Sequence, residues 1–294
     1  MRLVIENLTK KYGSLTALAD ISLEMKNGIY GLLGPNGAGK STLMQILTGN
    51  LKADGGRILF EGREILSMGK AYRKLIGYMP QDIVCYPHFT LMEFMEYMAL
   101  LKGMDPGEDI TRQQIDGILS QVHLEEVKNK RLSGFSGGMK RRAMLSQAIL
   151  GNPQILILDE PTAGLDPRER IAMRNMIARL SRDRIVLLAT HIASDVECIA
   201  DRIIILKQGR LVVEGQPAAL IAQVKKHVKT VYCTSGELEQ LQEHALVGSY
   251  FQTEQGFAVH LITGEGSKDL LSAQETSGFV SLDEVYLYYC ESKF

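Results

Sequence analysis

Three observations predict an α/β fold with a substantially parallel sheet, followed by a small α+β module. Short β-rich runs alternate with helical patterns through the first 215 of the 294 residues. A glycine-rich turn, Gly34 to Lys40, joins one of those runs directly to a helical one. The charge balance then breaks. No arginine follows Arg210, and residues 216–294 carry five lysines against ten acids, a net −5, whereas residues 1–215 carry a net +4. The break near Gly215-Gln216-Pro217 divides the chain into domains 1–215 and 216–294.

In chain order, strands are expected at Leu3–Glu6, Ser22–Met25, Gly28–Leu33, Arg57–Phe60, Leu75–Met79, Ile155–Leu158, Ile185–Ala189, Ile203–Leu206 and Leu211–Val213. Gln208-Gly209, between the last two, is a hairpin-turn signal. Thr90 and Glu93 form a capping box opening a Met-rich helix to about Leu101, because hydroxyl and carboxylate reciprocally satisfy end amides. Asp166-Pro167 supplies an N-cap and a proline at the first helical position, and Met173, Met176, Ile177 and Leu180 make the core-facing stripe of that helix. In the tail, strands are expected near Val228–Thr234, Leu246–Gln252 and Phe257–Ile262, and helices near Glu237–His244, Ser267–Ala273 and Asp283–Cys290. Ser281 and Glu284 make a second capping box, and a ferredoxin-like arrangement fits this order.

Composition narrows the function. With 45% hydrophobic and 23% charged residues, a disordered or fibrous chain is excluded. The longest apolar run, Val285–Cys290, is far short of the ~20 residues of a membrane helix, so no crossing of a bilayer by this chain is expected. An acid at Glu6 comes too early for a secretion signal, so a cytoplasmic location is expected. A net charge of −1 weighs against a nucleic-acid partner bound through phosphate neutralisation. Cys85, Cys198, Cys233 and Cys290 are scattered without a CxxC pair, so free thiols are expected rather than a zinc site or disulfide framework.

The chemistry is carried by three stretches. Gly34-Pro35-Asn36-Gly37-Ala38-Gly39-Lys40-Ser41-Thr42 matches GxxxxGK[ST] and lies between the Gly28–Leu33 strand and the helical run Leu43–Leu47. Its glycines free backbone amides to curl around phosphate oxygens, and the helix N-terminus adds partial positive charge. Lys40 reaches the β- and γ-phosphates of a nucleoside triphosphate, and the Ser41 hydroxyl is a magnesium ligand. Ile155 to Leu158 then delivers Asp159 and Glu160 to the ligand-binding edge of the sheet. Asp159 would hold Mg2+ and Glu160 would polarise the attacking water. Finally, Ser136-Gly137-Gly138 opens a helix to about Leu150, a second anion-seeking helix end in the same chain. The Lys140-Arg141-Arg142 run beside it would ordinarily be a solvated helix face.

Ser136-Gly137-Gly138-Met139-Lys140-Arg141-Arg142, 23 residues before Asp159, closely resembles the signature motif of ABC-type ATPases. Further matches follow in family order. Tyr12 resembles the aromatic that stacks on adenine, Gln81 the Q-loop glutamine that meets magnesium and water, Ala163 to Asp166 the D-loop, and His191 the switch histidine on the γ-phosphate. Met139 departs from the glutamine common at its position. The resemblance covers about residues 1–215 and implies a P-loop NTPase fold of ABC type with β-rich and helical subdomains.

It further implies ATP and Mg2+ as cofactors. ATP would lie between two subunits in a head-to-tail dimer, here as a homodimer, on one subunit's phosphate loop and under the other's Ser136. The implied function is the ATP-hydrolysing subunit of a transporter, peripheral on the inner face of the cell membrane, whose spanning permease is a separate chain. The form of the signature resembles drug-exporter-like subunits, so export is expected. The Met-rich segment from Phe89 to Leu101 is either core or a surface docking on that permease. The alternative function is a soluble ABC-type ATPase of translation or DNA repair, against which stand the single ATPase domain and the lack of long heptads and zinc cysteines.

Overall fold

The computed structural model describes residues 1–82, 86–254, 256–263, 274–275 and 279–291. Cys85 and the helix expected at Ser267–Ala273 lie outside the described residues. The chain opens with two long strands, β1 (Arg2–Tyr12) and β2 (Leu15–Lys26), each extending well beyond its expected core. With β4 (Gly55–Phe60) and β5 (Arg63–Glu64) they form an antiparallel sheet in the order β2-β1-β4-β5. Register shifts between Ile5, Leu8, Lys10 and Lys11 break the strict alternation of β1.

The second sheet carries the site. Strands β3 (Gly28–Leu33), β6 (Ile76–Met79), β7 (Ile155–Asp159), β8 (Ile185–Ala189) and β9 (Arg202–Lys207) run parallel, and β10 (Arg210–Gly215) adds an antiparallel edge, in the order β10-β9-β3-β8-β7-β6. Both faces are covered, so the strands are continuous apolar runs split between two cores by residue parity. Leu156, Leu158, Val186, Leu188, Ile203 and Ile205 face the helical side. Ile155, Ile157, Ile185, Leu187, Ile204 and Leu206 face the first sheet and the helix α1 (Lys40–Leu47). Each such side chain, removed from water, contributes about 1.5–3 kcal/mol.

Short helices α2 (Ile65–Met68) and α3 (Lys70–Lys74) lead into β6. The helical layer comprises α4 (Leu91–Leu101), α5 (Asp109–Gln121), α6 (Gly137–Ile149), α7 (Pro167–Leu180) and the short α8 (Ala193–Glu197). The expected capping box at Thr90 and Glu93 opens α4, and Asp166 caps α7 by accepting from the Glu169 amide at 2.8 Å. One face of α4 (Leu91, Phe94, Met95, Ala99) is core, while Leu100 and Leu101 are exposed and Phe89, Tyr97 and Tyr86 form a half-open aromatic cluster.

Beyond residue 215, α9 (Pro217–Lys225) buries Leu220 and Val224 in the helical-side core. Then come β11 (Val228–Cys233), α10 (Ser235–His244), β12 (Leu246–Thr253), β13 (Gly256–Ile262) and β14 (Gln274–Glu275), paired antiparallel as β12-β13-β11-β14. That strand order follows the expected ferredoxin-like arrangement. One face of this sheet packs Val231, Cys233, Val259 and Leu261 on Leu238 and Leu241 of α10. The last helix, α11 (Leu282–Cys290), does not stay with this sheet: its Leu282, Val285 and Cys290 join the helical-side core.

Candidate functional site

The phosphate loop links β3 to α1 through Gly34, Gly37 and Gly39, all with positive φ. At two of them space is as restrictive as conformation. A Cβ on Gly34 would lie 2.4 Å from the Leu206 carbonyl oxygen, and one on Gly39 would lie 2.6 Å from that of Ala17. The Gln208-Gly209 turn, both residues with positive φ as a two-residue hairpin requires, clasps the loop: Gly209 N donates to Ala38 O at 3.0 Å. Lys40 turns its ammonium onto the carbonyls of Gly34 and Pro35, and burial lowers its proton affinity.

A cleft of about 820 Å³ opens over this loop. It gathers Tyr12 from the end of β1, Gly34 to Thr42 from the loop and α1, Gln81 after β6, Asp159 and Glu160 at the end of β7, and His191 after β8. Residues spread over some 180 positions of sequence thus meet at one edge of a parallel sheet. Ser136, Gly137 and Gly138 are not brought into it. Ser136 caps α6 by accepting from the Met139 amide at 3.2 Å, and Ser136 and Gly137 are exposed on the surface away from this chain's own cleft.

Burial, and then the neighbouring Glu160, push the Asp159 carboxyl up to about 6. A cation in the cleft would relieve that penalty. The donors present, the Ser41 hydroxyl, the Asp159 carboxylate and the Gln81 amide oxygen, are hard oxygens of the kind Mg2+ uses beside phosphates. Glu160 is buried and sits in the left-handed region (φ 49°), a conformation costing about 1–3 kcal/mol. It is held there by its amide donating to Ala189 O at 2.9 Å. Its carboxylate meets the Thr190 hydroxyl at 3.2 Å, the His191 amide at 3.0 Å and the His191 Nδ1 at 2.8 Å.

The basic run at 140–142 corrects the expectation of a solvated face. Arg141 is buried and donates to the Gln81 carbonyl at 2.8 Å, and Arg142 reaches the carbonyl of His123 at 3.3 Å. Gln147, also on α6, donates to Tyr78 O at 2.8 Å. The helix that begins at Ser136 therefore braces the backbone entering and leaving Gln81. A second buried group, the Asp195 carboxylate on α8, accepts from Thr162 Oγ1 at 2.6 Å and lies 3.6 Å from Arg174. It ties the segment after Glu160 to the segment after His191. Sequence reasoning missed Arg141, Thr162 and Asp195, and missed Leu15, Thr16, Ala17, Gln208 and Tyr286 among the cleft walls. Only the turn signal at Gln208-Gly209, read for its hairpin, pointed to any of these.

Cys198, Cys233 and Cys290 are free thiols, and among the described residues no helix is long and apolar enough to cross a membrane.

The family pattern described as ABC transporter matches residues 18–163. The chain is 37% identical over 230 residues to the uncharacterized ABC transporter ATP-binding protein YxlF of Bacillus subtilis (strain 168), covering 78% of this chain and 76% of that one. It is 35% identical over 246 residues to the Nod factor export ATP-binding protein I of Bradyrhizobium diazoefficiens, covering 83% and 79% respectively. A solved dimeric structure of a bacterial ABC transporter cassette is similar at a TM-score of 0.65 and 25% identity, over 73% of this chain and 98% of that one. With a phosphate loop, a carboxylate pair and a remote signature helix on such a fold, this chain belongs to the ATP-binding proteins of ABC transporters, which hydrolyse ATP to power a membrane transporter.

Proposed function

We propose that residues 1–215 form the ATPase body and residues 216–294 an accessory module docked on it, and that the protein works as a homodimer with a permease on a separate chain. In this reading the amides of Gly34 to Thr42 and the Lys40 ammonium hold the ATP phosphates, and Tyr12 stacks on the adenine. Ser41, Asp159 and Gln81 hold Mg2+, which when bound neutralises developing phosphate charge. Glu160 accepts the proton of the attacking water, and His191 orients that carboxylate through its 2.8 Å contact and faces the γ-phosphate.

The partner's cleft is completed by Ser136, Gly137 and Gly138, a helix N-terminus offering amides to the γ-phosphate. The observation that carries this is the separation of the two anion-seeking ends: one lines the cleft, while Ser136 and Gly137 stand exposed outside it, free to meet a second copy. The dimeric cassette among the similar structures supports the same geometry.

Export rather than import is favoured by the similarity to a protein named for Nod factor export. The exposed Leu100 and Leu101 with the Tyr86, Phe89 and Tyr97 cluster form an apolar, Met-rich surface suited to the permease. The working location is then the inner face of the cell membrane, held there by that partner. A role in translation or DNA repair has no comparable support.

The test is Glu160→Gln. Mg-ATP binding is expected to persist while turnover falls about 10²–10⁴-fold, the contribution of a positioned base. In excess Mg-ATP the variant should elute as a dimer on a sizing column. Undiminished turnover removes Glu160 from the role, and a monomer with permease present removes the shared site.

A further inference from the structure

The C-terminal helix α11 crosses back from the accessory module, and one of its side chains, Tyr286, lines the cleft that holds the phosphate loop, Asp159, Glu160 and His191. Its position there is fixed by both units. At the N-terminal end of α11 the Leu282 amide donates to Glu197 Oε2 at 2.9 Å, on α8 just beyond His191. Near its C-terminal end Lys207, at the end of β9, reaches Tyr289 O at 3.5 Å. Along the same helix Leu282, Val285 and Cys290 are buried in the helical-side core. On the module's side, Glu284 is buried among His260, Ser249 and Ser281, so the same helix is also anchored to β12 and β13.

Tyr286 itself faces the phosphate loop. Its side chain is half-buried and packs against the helical-side core, one turn before the buried Cys290.

We propose that the accessory module completes the ATP site of its own chain through Tyr286, whose ring forms one wall of the cleft and contacts the bound nucleoside triphosphate. This rests on the assignment of that cleft to ATP. It makes α11 a direct connection between the nucleotide and a module that otherwise lies outside the ATPase body. The helix that carries the ring is held on the segment following His191 by the Leu282–Glu197 contact, so displacement of α11 would withdraw a wall of the pocket.

The experiment measures Mg-ATP affinity and steady-state kinetics of the full chain for wild type, Tyr286→Ala, Tyr286→Phe and Lys40→Ala. Loss of an aromatic contact is expected to raise the Kd and KM of Tyr286→Ala about three- to tenfold. Tyr286→Phe, which keeps the ring, should bind as wild type does. An unchanged Kd in Tyr286→Ala overturns the proposal, as does equal weakening in both Tyr286 variants, which would place the effect in the hydroxyl. Should the alanine variant fail to fold, Tyr286→Trp provides a second measurement, because the chain contains no tryptophan. Its emission should change saturably with Mg-ATP, and binding without any change in emission overturns the proposal. Lys40→Ala separates the two claims: if it binds Mg-ATP as tightly as wild type, the ATP cleft itself is misassigned, whatever Tyr286 does.

Discussion

Replacing Glu284 with glutamine isolates the charge that anchors α11. Burial pushes this carboxyl up, but hydrogen bonds from Ser249, Ser281 and His260 outweigh that and hold it at about 2, against an ordinary 4.5. The Ser249 amide approaches at 3.3 Å, the Ser281 amide at 2.9 Å and His260 Nδ1 at 3.2 Å, and the Ser281 hydroxyl closes the fourth contact. Such a difference corresponds to about 3 kcal/mol favouring the folded state at neutral pH. Because the folded value lies below the unfolded one, that stability is complete above about pH 4.5 and is lost as the pH falls towards 2. Glu284→Gln keeps the volume but turns an amide NH2 towards donors. It should therefore lower urea-unfolding stability by about 3 kcal/mol near pH 7, and the gap to wild type should narrow as the solution is acidified below about pH 4.5. The transition is followed by circular dichroism across that pH range. A variant within about 0.5 kcal/mol of wild type near pH 7, or a gap that widens on acidification, refutes the reasoning.

Ser136→Arg should leave Mg-ATP affinity of the isolated chain unchanged and abolish the ATP-dependent dimer; light scattering that still detects the dimer would refute the shared cleft. Arg141→Met keeps the buried stem but removes the donor to Gln81 O. It should cost about 1.5–3 kcal/mol in thermal unfolding and raise the KM for Mg-ATP, and an unaltered KM would show that Gln81 needs no bracing from α6. Asp195→Ala leaves Arg174 and Thr162 without their buried partner, and an expected loss of about 3–5 kcal/mol is checked by the same unfolding assay.

Much of the site was legible because its chemistry is local in sequence. A phosphate loop needs consecutive glycines before a helix, and β7 and β8 are unmistakable because burial on both faces makes them uninterrupted aliphatic runs. Elements whose pattern is interrupted were harder. The full length of β1 was hidden by its register shifts and by Asn7, which has φ 50°. Helix α5 buries Thr111, Ile115, Ile118 and Leu119 at helical spacing, but a threonine in the stripe and Gly117 within it weaken the signal. Arg141 resembled a surface cation because nothing in its neighbours announces the carbonyl waiting at Gln81, 60 residues earlier. Tyr286 was invisible for the same reason: its place in the cleft depends on α11 leaving its own module, which no local periodicity encodes.

The return of α11 also orders events during synthesis. Ala193, Val196 and Ile205 belong to the helical-side core, yet Leu282, Val285 and Cys290 that pack in the same cluster are translated some eighty residues later. Until that stretch has left the ribosome, the nascent chain carries an exposed apolar surface prone to aggregation. Cleavage that releases α11 would leave the same surface bare, so proteolysis in the accessory module should cost the rest of the chain its solubility together with the Tyr286 wall of its cleft.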